Sequence, residues 1–172
     1  MNYIKRKSTK QEKRTAKEFR GRTTPASGAL SGAKGDVRTG TREGSQTNCE
    51  DFLIENKYTD KDFYTLKLTT WQKIDGEALR DNMRVPLMQI DIQQNQYVVL
   101  ANNDYCRVKD ESNINFIADF ITERGSFKLS SKLLEAILGQ QETCGLKFIN
   151  KNKPIKLVIM HKSDFLSLRG DL

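Results

Sequence analysis

The sequence has few of the residues on which several common classes of protein depend. Its three cysteines, Cys49, Cys106 and Cys144, lie far apart in 172 residues, and His161 is the single histidine. No Cys or His residues have the spacing of a zinc site. An odd number of separated cysteines is more typical of reduced thiols in a cytoplasmic protein than of a disulfide framework. We therefore expect a cytoplasmic protein without zinc or structural disulfides.

Long hydrophobic runs are missing as well. No apolar stretch approaches the roughly 20 residues that cross a bilayer. The N-terminus carries Lys and Arg but lacks the apolar segment of a signal peptide. The basic stretch also has too few large apolar residues for deep insertion into a membrane surface. The sequence therefore predicts no membrane partner.

Positive charge is concentrated at the start of the chain. The formal net charge is +7, and residues 1–48 hold 12 Lys and Arg against 4 Asp and Glu. Residues 49–172 hold 17 against 18, so the remainder is almost neutral. A basic block of this kind is typical either of a surface that binds a polyanion or of a solvated tail.

Apolar periodicity and turn residues predict an α/β protein in three parts: a flexible basic tail (1–10), a core (11–108) and a C-terminal α/β segment packed on the core (109–172). A helix over 10–19 is followed by a Gly/Ser/Thr-rich loop over 20–35. The further predicted strands are 36–39, 52–58, 63–68, 85–92, 97–101, 146–149 and 155–160. The further predicted helices are 69–82, 113–122 and 132–138.

The C-terminal part resembles residues 63–105, which indicates a weak internal duplication. Phe127-Lys-Leu-Ser-Ser131 is similar to Leu66-Lys-Leu-Thr-Thr70, and Ser163-Asp-Phe165 is similar to Asn103-Asp-Tyr105. The alternative is that strand–helix–strand–strand units look alike in unrelated α/β proteins.

Two acids and a lysine form the strongest candidate site. Asp36 follows a glycine-rich turn, and Glu55 and Lys57 end an apolar strand, with eighteen residues between Asp36 and Glu55. Because side chains at i and i+2 of a strand share a face, Glu55 and Lys57 should point the same way. Two carboxylates beside an ammonium can bind Mg²⁺ and activate a water, which is the chemistry of phosphodiester cleavage. Asp51 lies on the same face but farther down the strand.

These residues resemble the PD-(D/E)xK nuclease superfamily, and within it the archaeal-type Holliday-junction resolvases and their phage-encoded relatives. The resemblance rests on Glu12 in a helix, Arg22-Thr-Thr-Pro-Ala-Ser27-Gly28, Lys34-Gly35-Asp36-Val37 and Leu53-Ile-Glu55-Asn-Lys57. It covers residues 10–60 well and 60–108 more loosely. It implies a restriction-endonuclease-like mixed β-sheet core flanked by helices, with an additional C-terminal α/β segment.

Specific roles follow from this resemblance and from the chemistry of the residues. Asp36 and Glu55 would bind the metal, Mg²⁺ or in its place Mn²⁺, and the resemblance adds the backbone carbonyl of Asn56. Lys57 would position the water and stabilise charge, because the neighbouring carboxylates oppose its deprotonation. Glu12 is the preferred helical acid, and Glu18 is the alternative. The residues expected to hold DNA phosphates are Arg20, Arg22, Ser27 and Lys34.

The expected function is a Mg²⁺-dependent, structure-selective DNA endonuclease, and specifically a resolvase of four-way DNA junctions. Symmetrical cutting of such a junction needs two sites, so the expected assembly is a homodimer. One alternative is a restriction-like or repair endonuclease on duplex DNA. Another is a non-catalytic DNA-binding protein whose basic segment provides the affinity.

Overall fold

The described part of the chain forms α-helices packed on β-sheets. The computed structural model describes residues 3–24, 35–39, 51–81, 83–112, 115–151 and 153–169, with side chains from residue 7 onward. The helices are α1 (Tyr3–Glu18), α2 (Leu68–Arg80), α3 (Asn102–Lys109), α4 (Ser131–Leu138) and α5 (Lys162–Arg169). The strands are β1 (Arg22–Thr23), β2 (Val37–Arg38), β3 (Phe52–Thr59), β4 (Phe63–Lys67), β5 (Val85–Ile92), β6 (Asn95–Ala101), β7 (Phe120–Thr122), β8 (Ser126–Ser130), β9 (Cys144–Phe148) and β10 (Ile155–His161).

Eight of these strands form one mixed sheet. Their order is β1-β2-β3-β5-β6-β10-β9-β7, and β4 and β8 pair separately as a two-stranded sheet. The β3–β5 and β7–β9 pairs are parallel, whereas the other neighbouring strands are antiparallel. The predicted α/β fold, with a mixed β-sheet flanked by helices, is confirmed. The C-terminal strands continue this sheet, because β10 pairs with β6.

Two apolar layers cover the two faces of the large sheet. On one face, α1, α3 and α5 pack against it through Ala16, Tyr105 and Phe165. On the other, α2 and α4 contribute Trp71 and Leu134, together with apolar residues of β4 and β8. The central strand β5 is buried along its whole length, as expected for a strand covered on both faces.

The second half of the chain repeats the element order of the first. The series β3-β4-α2-β5-β6-α3 is followed by β7-β8-α4-β9-β10-α5. Between β3 and β7 the strand order is β3-β5-β6-β10-β9-β7, so corresponding strands of the two halves lie at equal distances from the centre of this series. At that centre, Val99 of β6 lies opposite Ile159 of β10. Since β4 and β8 are both five residues long and lead directly into a helix, Leu129 takes the position of Leu66. The sequence comparison had placed Phe127 there.

Several local predictions were wrong. Helix α1 begins at Tyr3 and not near residue 10. The described residues of the helix expected over 113–122 form no helix: Phe120–Thr122 form β7, and Ile117 and Ile121 are exposed. Pairing of Phe120 with Leu146 explains this difference, because a strand contact distant in sequence overrides a helical pattern. Helices α3 and α5 were not predicted. Among the described residues, no helix combines the length and apolar character needed to cross a bilayer.

Candidate active site

Asp36 is held firmly by its main chain. Its N–H donates to the carbonyl of Ile54, and its own carbonyl accepts from the N–H of Thr24, each over 2.9 Å. The preceding residue, Gly35, has φ +68°, a conformation that residues with a Cβ adopt at a cost. A Cβ at Gly35 would also lie 2.5 Å from Leu53 Cδ1. Asp36 is therefore fixed between β1 and β3 by a turn that favours glycine.

The Asp36 carboxylate reaches the strand that carries the other candidate residues. The main-chain N–H of Asn56 donates to Asp36 Oδ2 over 2.7 Å. On that strand, Lys57 Nζ donates to Glu55 Oε1 over 2.9 Å, so these two side chains share a face as expected. The structure thus brings together Asp36, Glu55 and Lys57, with Asn56 at the centre.

Lys57 is held as a cation. Burial on its own would lower the pKa of Lys57, but the hydrogen bond and negative charge of Glu55, followed by smaller contributions from Tyr64 and Asp36, raise it above its usual value. An ammonium in this setting can stabilise negative charge but is poorly suited to remove a proton at neutral pH. The geometry therefore favours positioning and electrostatic stabilisation for Lys57.

A groove beside Glu55 and Lys57 contains residues that the sequence had not identified. It has a volume of about 340 Å³. Its remaining lining residues come from α2: Thr69, Thr70, Lys73, Ile74 and Glu77. Glu77 is buried, with Lys73 Nζ 4.0 Å from its carboxylate. The i, i+3, i+7 spacing of Thr70, Lys73 and Glu77 was a visible signal of a polar helix face.

Tyr64 of β4 also contributes to the electrostatics of this groove. Burial, opposed by the charge of Lys57 and reinforced by that of Glu55, raises the pKa of the Tyr64 phenol. The phenol therefore stays protonated at neutral pH and can donate a hydrogen bond. The sequence could not assign Tyr64 to the candidate site. Its strand, β4, pairs with β8 in the separate two-stranded sheet, and the pattern of side chains along β4 does not show that it packs beside β3.

The donor set suits a hard divalent cation. Asp36 and Glu55 supply carboxylate oxygens, and the Asn56 carbonyl directly follows Glu55 in the chain. Within the described ranges, no three Asp, Glu, His or Cys side chains form a cluster that could bind a metal. Mg²⁺ is commonly bound by one or two carboxylates while it keeps several waters, so a two-carboxylate site fits its requirements.

The two helical acids differ in their surroundings. Glu18 Oε2 lies 2.5 Å from Nζ of the buried Lys162 on α5, so its carboxylate is engaged away from Lys57. Glu12 Oε1 accepts from Ser8 Oγ over 3.1 Å. Its neighbour Gln11 donates to the main-chain carbonyl of Lys57 over 3.0 Å, which places this turn of α1 beside β3. Neither of these contacts joins a helical acid to Asp36 or Glu55, so the preference for Glu12 over Glu18 stays a prediction.

The predicted phosphate-binding residues are only partly described. Arg20 and Arg22 are exposed, and Arg22 lies opposite Arg38 in the β1–β2 pair. Arg20 adopts φ 54° directly after α1, so a residue with a Cβ takes the left-handed conformation at the end of this helix. Ser27 and Lys34 lie outside the described residues.

A buried polar chain supports the opposite face of β3. Thr15 Oγ1 lies 3.1 Å from Asn56 Oδ1 and 2.9 Å from Gln89 Oε1. Gln89 Nε2 donates to Asp91 Oδ1 over 2.9 Å, and Arg14 donates to Asp91 Oδ2 over 2.8 Å. A hydroxyl donates one proton, so Thr15 can donate to Gln89 and accept from Asn56 if the Asn56 amide takes the reverse orientation.

In the described part of the second half, a phenylalanine stands where the first half has Lys57. Across neighbouring strands, Lys57 lies opposite Ile90, which lies opposite Tyr97. In the other half, Phe120 lies in the same way opposite Leu146, which lies opposite Leu157. Phe120 is therefore the counterpart of Lys57. A phenylalanine cannot replace a cation beside a carboxylate. The described residues of the repeat therefore hold one candidate site rather than two.

Comparisons with known proteins provide no family for this chain: no family model matches it, and no curated protein matches it. The fold defines an α/β protein with a mixed sheet and a carboxylate–lysine site at the β2–β3 junction.

Proposed function

We propose that this protein is a metal-dependent DNA endonuclease that hydrolyses phosphodiester bonds. The observation that supports this most directly is the joining of Asp36, Glu55 and Lys57 around the backbone of Asn56. The resemblance to PD-(D/E)xK nucleases predicts this grouping. The concentration of positive charge in residues 1–48 is consistent with a polyanionic substrate.

Each residue has a chemical role in this proposal. Asp36 and Glu55 would hold Mg²⁺, or Mn²⁺ in its place, together with the Asn56 carbonyl. When bound, the metal supplies Lewis acidity and lowers the pKa of a bound water. Lys57 holds its positive charge beside Glu55 and stabilises negative charge as it develops on the phosphate. Asp36 keeps its orientation because the Asn56 N–H anchors one carboxylate oxygen.

The proposed substrate is a branched DNA, specifically a four-way junction, and the proposed assembly is a homodimer. These choices follow from the resemblance to junction resolvases rather than from the geometry of the site. Two-fold symmetric cutting needs two equivalent sites, and the described repeat holds one per chain. The proposal also implies an intracellular location, where such DNA occurs.

The test compares wild type and Asp36→Ala on end-labelled four-way junction, flap and duplex DNA in Mg²⁺. We expect wild type to cut the junction in preference to the other two, and the variant to be inactive. Equal cutting of all three would reject the junction preference and favour a duplex endonuclease. DNA binding without cutting in Mg²⁺ or Mn²⁺ would favour a non-catalytic binding protein instead.

A further inference from the structure

A second polar cleft lies on the face of β3 opposite Glu55 and Lys57. Its volume is about 530 Å³, within the usual range for ligand sites. It is formed by α1, by Tyr58 at the end of β3 and by the turn between β5 and β6. Its lining residues are Lys7, Lys10, Gln11, Arg14, Tyr58, Asp91, Gln93, Gln94 and Gln96.

The lining of this cleft has a specific composition. Three cations and four glutamine amides surround one carboxylate, Asp91, which is buried and already bound by Arg14, Gln89 and Gln96. Lys7 donates to the hydroxyl of Tyr58 over 2.8 Å. Lys10 is exposed, and its side chain makes no hydrogen bond or ion pair with a described residue. The cations suit phosphates, and the amides can both donate to and accept from sugars or base edges.

The cleft is close to the candidate active site. Tyr58 follows Lys57 directly on β3, and alternation places it on the same face as Asn56. Tyr58 is three steps along the strand from Glu55, which corresponds to about 10 Å at ~3.3 Å per residue. DNA that extends past the active site along β3 would therefore approach the cleft.

We propose that this cleft binds the sugar–phosphate backbone of the DNA that flanks the cleaved bond, with Lys10 and Arg14 on phosphates and Gln94 on a sugar or base. This inference rests on the proposed nuclease function, because it assigns the cleft to the same substrate. It gives the basic face of α1 a function in substrate binding, separate from the metal site.

The experiment measures binding of fluorescein-labelled four-way junction by anisotropy, in EDTA so that no cutting occurs, over a series of salt concentrations. Each phosphate contact contributes about 0.9 to the slope of log affinity against log salt on duplex DNA. We expect Lys10→Ala to reduce this slope by about 1 and to weaken binding severalfold. Lys132→Ala, at an exposed lysine of α4 on the other side of the sheet, is the matched control and should change neither quantity.

A second pair of variants tests the amides. Gln94→Glu places a carboxylate in the cleft and should weaken binding by about tenfold, whereas Gln140→Glu, at an exposed position after α4, should not. Equal effects of the paired variants, or none, would overturn the assignment of the cleft. Such an outcome, together with cutting by wild type and none by Asp36→Ala, would reject the cleft as a DNA site and retain the nuclease function. Binding that depends on Lys10 without any cutting rejects the nuclease and retains the cleft as a DNA site.

Discussion

The main-chain N–H of Asn56 donates a 2.7 Å hydrogen bond to the carboxylate of Asp36, which joins β3 to the turn before β2. Asn56 stands between Glu55 and Lys57, so this one bond places both acids around a single peptide unit. Its side chain meanwhile points to the other face of β3 and contacts Thr15 of α1. The position of the candidate site therefore depends on both faces of this strand.

Lys57 should contribute through its charge. Lys57→Met should lower the single-turnover cleavage rate by about 10²-fold or more, because an interaction with charge developing in the transition state is lost. Lys57→Arg keeps the charge and should retain more activity. Lys132→Met makes the same change at an exposed lysine of α4 outside this groove and serves as the control. Rates at saturating enzyme provide the measurement, and equal losses in the Lys57 and Lys132 variants would contradict this role.

Gly35 should be more sensitive to a Cβ than Gly125. Both have positive φ, +68° and +75°, so Ala at either should cost about 1–2 kcal/mol of backbone strain. At Gly125 no atom lies within 4 Å of the added Cβ, whereas at Gly35 the Leu53 side chain must move. Gly35→Ala should therefore reduce the free energy of unfolding in urea by more than Gly125→Ala, and only Gly35→Ala should impair cutting. Identical unfolding curves would show that Leu53 accommodates the change freely.

The hydroxyl of Thr15 should stabilise the fold from within the buried polar chain. Thr15 is fully buried, and Thr15→Val leaves Gln89 without its donor, at a cost of about 1–3 kcal/mol. Thr65→Val, at an exposed position of β4, should change stability by less than about 0.5 kcal/mol. Urea denaturation of both variants checks this. A Thr15 variant as stable as wild type would show that the buried polar chain of side chains does not depend on this hydroxyl.

Glu135 should make stability depend on acid pH. Partial burial alone would raise the pKa of Glu135, but hydrogen bonds from Tyr97 and His161 outweigh it and lower the pKa below its usual 4.5. A lowered pKa stabilises the folded state above the usual value, and this contribution disappears as the pH falls through the folded pKa. Glu135→Gln should lower the free energy of unfolding by about 0.2–1 kcal/mol at pH 7, because Glu135 and His161 are partly exposed to solvent.

The difference between wild type and Glu135→Gln should shrink when urea unfolding is repeated near pH 3.5. Glu123→Gln, at an exposed acid without a described partner, should show no such dependence. A constant difference between wild type and Glu135→Gln at both pH values would indicate that the charge of Glu135 does not stabilise the fold.

Much of the fold was readable from local patterns. The apolar runs of β5 and β10 predicted buried strands, and the helical spacing of Trp71, Ile74 and Ala78 predicted α2. The helix predicted over 113–122 was wrong, because the apolar residues there fit a helix as well as they fit a strand. Pairing between Phe120 and Leu146 decided the outcome, and no local preference encodes that contact.

The candidate site likewise depends partly on local sequence patterns and partly on tertiary contacts. The sequence by itself determined that Glu55 and Lys57 share a face, because the two-residue period of a strand is a local property of the backbone. It also indicated the turn at Gly35 before Asp36. Only the tertiary structure decided that Asp36 meets the Asn56 N–H, that Glu18 turns to Lys162, and that the polar face of α2 completes the groove. These contacts join residues distant in the chain, and they depend on how helices and strands pack rather than on how each one forms.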